Sequence, residues 1–97
     1  MTGLDRPDLF IVVRIFEALR ANSNRLRKTQ LQMRSGINYT IFLRYLQYLL
    51  DRQLVCVVSD SPSGEWVELT SQGNEAYRFL LDGFARYFRG EISRQPT

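Results

Sequence analysis

Residues 29–55 read TQLQMRSGINYTIFLRYLQYLLDRQLV, and the fold turns on how this stretch divides. Ser35-Gly36 interrupts it with a pair that marks a turn. Ahead of the turn, Thr29 has the chemistry of an N-cap, and Gln32 follows at the spacing of a capping box. A short helix carrying Leu31, Met33 and Arg34 is therefore expected. Beyond the turn, Ile37 packs inward and Asn38 caps a longer helix that ends near Arg52. On a helical wheel Phe42, Tyr45, Leu46 and Leu49 cluster on one side and are assigned to the core. Thr40, Arg44, Gln47 and Asp51 line up on the other side as a polar ridge.

Working outward, a strand is expected at Leu54-Val55-Cys56-Val57-Val58, which is rich in β-branched residues, and another at Glu65-Trp66-Val67-Glu68-Leu69, which alternates. Ser61-Pro62-Ser63-Gly64 between them reads as the tip of a hairpin. Cys56 is expected to be a small buried strand residue, because nothing nearby would lower its pKa. Trp66 is expected to cover the base of the hairpin, with a phosphate-side contact as the alternative. Upstream, Pro7 suits the first position of a helix running to about Ala21, with Leu9, Val12, Ile15, Phe16 and Leu19 as its core stripe. Phe10, Ile11 and Val13 broaden that stripe, and Asn22-Ser23-Asn24 ends the helix. A short extended piece around Leu26 leads back to Thr29. Two helices joined by a short Gly-containing turn form a helix-turn-helix, and a hairpin straight after them is a wing. The expected architecture is mainly α (α+β): a winged helix-turn-helix with a two-stranded wing.

The last helix starts at Thr70, a good N-cap, and continues to about Arg89, with Gly90 as its stop. Tyr77, Leu80, Leu81, Phe84, Tyr87 and Phe88 are enough to pack on the rest of the domain. Ala76, Phe79 and Gly83 widen the apolar arc beyond what one small domain covers, while Glu75, Arg78, Asp82, Arg86 and Arg89 hold the polar side. A partner helix would cover that arc, with Gly83 allowing close approach. A homodimer is expected through Ala76, Phe79, Leu80, Gly83, Phe84 and Tyr87. The alternative is an aromatic-rich core helix with a stray exposed Phe. Residues 1–70 are then the winged helix-turn-helix domain, 71–90 the C-terminal dimerisation helix and 91–97 a flexible tail.

Composition narrows the function. The 97 residues, 44% hydrophobic and 24% charged, suit one soluble globular domain with a modest core. There is no histidine and one cysteine, which removes the commonest acid–base group and any Cys-rich zinc site. No paired carboxylates sit in an apolar surround, so neither an enzyme, a metal nor a cofactor is expected. Neither a long apolar run nor a signal-peptide layout occurs, so no membrane partner and a cytoplasmic location are expected. The net charge of +3 is uneven. Residues 1–52 hold nine Arg/Lys against four Asp/Glu, and residues 53–97 hold four against six. Arg25, Arg27, Lys28 and Arg34 form a cluster with no acid among them, which suits a polyanion on one side of the molecule or a solvated basic face.

The sequence resembles the small archaeal winged-helix DNA-binding proteins of about ten kilodaltons. The resemblance rests on Thr29-Gln30-Leu31, Ile37-Asn38-Tyr39, the run Tyr45-Leu46-Gln47-Tyr48-Leu49-Leu50-Asp51-Arg52-Gln53-Leu54-Val55, and Leu69-Thr70-Ser71-Gln72-Gly73, in that order. It implies a cytoplasmic, nucleoid-associated archaeal protein that dimerises through its C-terminal helix and binds duplex DNA, as a regulator or chromatin-type protein. Two departures stand out. Gln53 occupies the place of a glycine in the family pattern, and the wing tip at residues 60–65 carries no Lys or Arg. A tip without cations brings little phosphate affinity, so the wing is expected to be idle or peripheral.

In a helix-turn-helix the polar ridge of the second helix faces the major groove. Arg44 can donate bidentately to guanine, Gln47 can pair with adenine, and Thr40 reaches base or phosphate. Tyr39 donates to a phosphate or packs half-buried. Arg25, Arg27, Lys28 and Arg34 are placed to grip the backbone. Ile41 and Leu43 flank the ridge, so a protein-binding surface on the same fold is the competing reading.

Overall fold

In the computed structural model, residues 6–60 and 64–92 are described. The element order is α1 (Leu9–Arg20), β1 (Arg25–Arg27), α2 (Lys28–Ser35), α3 (Tyr39–Asp51), β2 (Val55–Asp60), β3 (Gly64–Leu69) and α4 (Ser71–Ile92). Of the wing tip expected at residues 61–64 and the tail expected at 91–97, residues 61–63 and 93–97 lie outside the described residues, and 91–92 belong to α4.

The central helix pair forms for the reasons legible in residues 29–55. Asn38 caps α3, its side-chain oxygen accepting from the Ile41 N–H at 3.1 Å. Gly36 ends α2 with φ at +70°, a conformation that costs a glycine little. The Gln32 side chain donates to the Ile37 carbonyl at 2.6 Å and so braces the turn. Thr29, however, is not the N-cap of α2. That position belongs to Arg27, whose backbone N–H donates to Gln30 Oε1 at 3.4 Å, and Thr29 lies inside the helix. The shift has a cause: β1 pairs with β3 up to Arg27, and α2 begins at the next residue.

The wing is larger than a hairpin. β2 and β3 pair antiparallel with Val57 opposite Val67, and β1 adds to the other edge of β3 with Leu26 opposite Val67 and Arg27 opposite Trp66. The sheet is three-stranded, in the order β1-β3-β2. Period-two alternation sends Leu26, Val55, Val67 and Leu69 into the core and Arg25, Arg27, Trp66, Glu68 and Cys56 to the outer face. Cys56 is accordingly half-buried on that outer face, not a core residue.

The core lies where α1, α2, α3 and the inner sheet face meet, with Ile15, Phe16, Leu19, Leu31, Phe42, Leu49, Val55 and Val67 fully buried. All four core positions assigned on α3 are buried. On α1 the stripe begins one turn late, for Leu9 is 47% exposed. Asp8 caps this helix, and its backbone N–H donates to the buried Tyr45 hydroxyl at 2.8 Å, tying α1 to α3.

The α3–β2 junction is a Schellman turn. Leu54 N–H donates to Leu49 O and Gln53 N–H to Leu50 O, each at 3.0 Å, and Gln53 takes φ of +61°. A second turn locks onto it. The Thr70 hydroxyl donates to Gln53 O at 2.7 Å and accepts from the Gly73 N–H at 2.9 Å, so one side chain caps α4 and ties it to the end of α3. Gly73 packs so closely that a Cβ there would overlap the Leu54 carbonyl oxygen.

From that anchor α4 rises along α1. Ala76, Tyr77 and Leu80 pack against the core, and Arg20 reaches Asn74 Oδ1 at 3.2 Å. Burial pushes the Tyr77 phenol above its ordinary pKa, with Glu17 adding to the effect and Arg20 opposing it. The helix does not stop at Gly90 but continues to Ile92. A glycine ends a helix where the chain turns left-handed, and inside one it costs only about 1 kcal/mol.

Candidate nucleic-acid interface

The polar ridge of α3 is built as the spacing predicts. Thr40, Arg44, Gln47 and Asp51 are all exposed. Among the described residues Arg44 makes no hydrogen bond or ion pair, which leaves its guanidinium edge open. Gln47 is engaged, since its Nε2 donates to Asp51 Oδ1 at 2.8 Å. An adenine contact by Gln47 would have to replace that bond, and Asp51 places a negative charge at the C-terminal end of the ridge. The uncommitted part of the ridge is therefore the N-terminal half of α3, where Tyr39 is 49% exposed with its ring stacked beside Phe42 at 6.5 Å. Ile41 and Leu43 flank the ridge as exposed apolar residues, and Met33 on α2 is 70% exposed.

The basic cluster that is continuous in sequence divides in space. Arg34 sits in the last turn of α2 and lines a depression with Arg14, whose Nη2 donates to the Gly36 carbonyl at 3.1 Å. Arg14 was not singled out from the sequence. Its signal is that of one cation inside the apolar run Val12-Val13-Arg14-Ile15, a position that must emerge from the core. Arg25 and Arg27 lie on the edge strand β1, at the other end of α2, beside Lys28.

At that second corner the outer sheet face organises the cations. The guanidinium carbons of Arg25 and Arg27 lie 4.3 Å and 4.9 Å from the centre of the Trp66 ring. Arg25 also pairs with Glu68, Nε to Oε2 at 3.3 Å. Trp66 thus sits over the sheet face between two arginines, beyond the simple cover expected for the hairpin base. At Gly64 it is the φ of +106° that calls for glycine, since a Cβ there would stand 3.8 Å from Arg27 Nη1, at ordinary contact distance. Arg27, Lys28 and Thr29 line a shallow depression of about 230 Å³ with Gly64 and Glu65.

The helix α4 carries a different surface. Of the residues assigned to a partner, Ala76 and Leu80 pack on the core of their own chain, and Phe84 stacks on Phe10 with ring centres 5.7 Å apart. Phe79 and Tyr87 are each 76% exposed, and nothing lies within 4 Å of where a Gly83 Cβ would be. Leu81 and Tyr87, expected to pack on the domain, are exposed instead. Phe79, Gly83 and Tyr87 recur every four residues and so form one outward ridge. Beside it runs an apolar groove of about 550 Å³, lined by Leu9, Phe16, Tyr48, Leu54, Ala76 and Phe79. Arg52, stacked over Tyr48 at 3.8 Å, also lines the groove. No helix among the described residues is long and apolar enough to cross a membrane.

With this geometry in view, comparisons with known proteins agree on the architecture. The profile of a family described as winged helix-turn-helix matches residues 6–86. Among solved structures, the chain is similar to a winged-helix DNA-binding protein from STIV at 20% identity, with a TM-score of 0.75 over 82% of this chain and 92% of that one. It is similar to Sso10a-2, a DNA-binding protein from Sulfolobus solfataricus, at 19% identity and a TM-score of 0.65, over 94% of this chain and all of that one. It is also similar to a MarR family transcriptional regulator from Silicibacter pomeroyi at 20% identity and a TM-score of 0.66, over 86% of this chain and 58% of the regulator. No curated protein matches the sequence.

Proposed function

The chain belongs to the winged helix-turn-helix family, and on that premise we propose that it binds duplex DNA as a homodimer, as a transcriptional regulator or chromatin-type protein of the nucleoid. The feature that carries this reading is the exposed N-terminal half of α3, where Arg44 makes no hydrogen bond or ion pair among the described residues, in a chain whose cations gather at the two ends of α2. A helix in the major groove needs cations on both sides, because the phosphate backbones flank the groove while the bases lie at its floor. In this reading Arg44 and Thr40 read bases, Tyr39 donates to phosphate, and Gln47 contributes after leaving Asp51. Arg34, joined by Arg14, takes one flank, and Arg25, Arg27 and Lys28 take the other. The named functions of the STIV and Sulfolobus proteins support the same conclusion.

The homodimer rests on the outward ridge of Phe79, Gly83 and Tyr87 and on the groove beside it. Ala76, Leu80 and Phe84 would then form the floor beneath the partner rather than its direct contacts. One mid-helix glycine with open space around it has no packing purpose within the chain, and close approach of a second helix would supply one.

Salt titration of binding to a random-sequence duplex tests the proposal. Affinity should fall steeply with salt, and the log–log slope should shrink by about 0.9 for each phosphate contact removed in Arg27→Ala and Lys28→Ala. No binding at low salt with the dimer intact would sink it. One observation favours a second reading: Met33, Tyr39, Ile41 and Leu43 expose apolar surface around Arg44, the make-up of a protein-docking patch. That reading predicts no dependence on nucleic acid at all.

A further inference from the structure

We propose that Asp51 is a specificity-determining residue of the α3 ridge: its carboxylate disfavours duplex in general and accepts sites that present a base amino group to it, cytosine N4 above all. The proposal rests on the DNA-binding reading. It adds a selective element that cations, which favour any duplex, do not supply.

The charge is unfavourable to the helix that carries it. Asp51 is the last residue of α3, whose last turn holds no basic residue. The free carbonyl oxygens of a helix C-terminus give that end a partial negative charge, so an acid is disfavoured there. Among the described residues Asp51 has no ion pair to relieve it. Arg52, next in the chain, is stacked over Tyr48 instead, with its guanidinium carbon 3.8 Å from the ring centre. What meets Asp51 is the Gln47 amide, Nε2 to Oδ1 at 2.8 Å. Such a pair four residues apart gives a helix slight support, but a neutral asparagine would offer Gln47 the same acceptor. The bond accounts for an oxygen at this position and not for its negative charge.

On the ridge the charge acquires a chemical meaning. Asp51 is exposed, on the same side of α3 as Thr40, Arg44 and Gln47. Facing a major groove, a carboxylate is repelled by phosphate oxygens, guanine N7 and O6, and thymine O4, which are all acceptors. The amino groups of cytosine and adenine donate to it. Asp51 therefore acts mainly against wrong partners, the repulsive half of selectivity. Gln47 is coupled to it through their hydrogen bond. A site that draws the Gln47 amide away has to give Asp51 another donor, because an acceptor left unpaired in a contact shielded from water is costly. The two residues thus accept one kind of site together.

The test compares Asp51→Asn with Asp51→Ala in the full-length chain, with urea unfolding of each variant to establish that it is folded. A preferred duplex is first selected from a random pool by the unmodified chain, and each protein is then titrated with that duplex and with random duplex. Asp51→Asn removes only the charge, so its random-duplex affinity should rise roughly two- to fivefold, the size of one exposed charge–charge interaction. Its urea midpoint should be equal or higher. In Asp51→Ala the ratio of preferred to random affinity should fall about fivefold or more, the lower end for one lost base contact. Exchanging a C·G pair of the preferred duplex for T·A, which replaces the N4 amino group by an O4 acceptor, should weaken the unmodified chain at one position and have no effect there on Asp51→Ala. A folded Asp51→Ala variant with unchanged random affinity and an unchanged ratio would overturn the proposal while leaving DNA binding intact. A lower urea midpoint for Asp51→Asn would overturn it too, by assigning the charge to the fold. Failure of the unmodified chain to bind any duplex would instead remove the reading on which the proposal stands.

Discussion

Gln53 and Gly73 place opposite demands on the backbone at the junction of α3, β2 and α4. Gln53 stands at φ of +61° at the left-handed position of the Schellman turn, where its exposed side chain makes no compensating contact among the described residues. A non-glycine residue in that conformation is disfavoured by about 1–2 kcal/mol, part of which glycine gives back through its freer unfolded chain. Gln53→Gly should therefore stabilise the fold by about 0.5–1 kcal/mol, read as a higher urea midpoint with an unchanged m-value. Gly73 makes the opposite case. A methyl group there meets the Leu54 carbonyl, the acceptor for the Thr70 N–H at 3.1 Å, so Gly73→Ala must displace the α4 anchor. Its loss should be about 1–3 kcal/mol or more, and a thermal midpoint equal to that of the unmodified chain would contradict the packing described. Both positions were visible in the sequence, Gln53 as a departure from a family glycine and Gly73 as the end of Leu-Thr-x-x-Gly. The positive φ of Gln53 is local, made by hydrogen bonds to Leu49 and Leu50, and the family glycine at that place was its signal; the approach of the Leu54 carbonyl to Gly73 was not visible, because it joins segments distant in the chain.

At the scale of elements, α3 and α4 make separable predictions. Arg44→Ala should weaken binding to a preferred site by about 1–3 kcal/mol while leaving random-duplex binding much closer to that of the unmodified chain; equal losses on both would reassign Arg44 to the backbone. Gly83 lies mid-helix with open space around it, so Gly83→Ala should raise the stability of the isolated chain by up to about 1 kcal/mol through helix propensity. If the ridge of Phe79, Gly83 and Tyr87 faces a partner, the same change weakens dimerisation, so the two effects have opposite signs. Sedimentation at several concentrations separates them. The helix faces were largely legible beforehand: every assigned core position of α3 is buried, and its polar ridge is exposed. On α4 the wheel located the apolar arc but divided it only in part correctly, placing Leu81 and Tyr87 inward and Ala76 outward, because two apolar sides of one helix look alike until one of them meets α1. Stacking of Phe10 on Phe84 settles which side turns inward.

For the whole molecule, the proposed homodimer is tested at α4, and in such a dimer the spacing of the two α3 helices would set the DNA site. Phe79→Glu/Phe84→Glu should lower the mass measured by light scattering, and Phe79→Glu alone should suffice if Phe84 belongs to its own chain's packing. An unchanged mass for both would remove α4 as the interface. What the sequence by itself determined is what is encoded over short distances: the two turn-separated helices of residues 29–55 with the Asn38 cap, the hairpin, the core stripe of α3, and the composition without histidine. Such signals are local because a cap, a turn or a helical period involves residues a few positions apart. The tertiary structure alone decided that Arg25–Arg27 is a third strand, that the basic run divides between two corners, and that Trp66 gathers two of its members. Three residues carry too little periodicity to announce a strand. Leu26 joins the sheet because β3, some forty residues later, presents an unpaired edge opposite it, and that pairing exists only once the chain has folded back on itself.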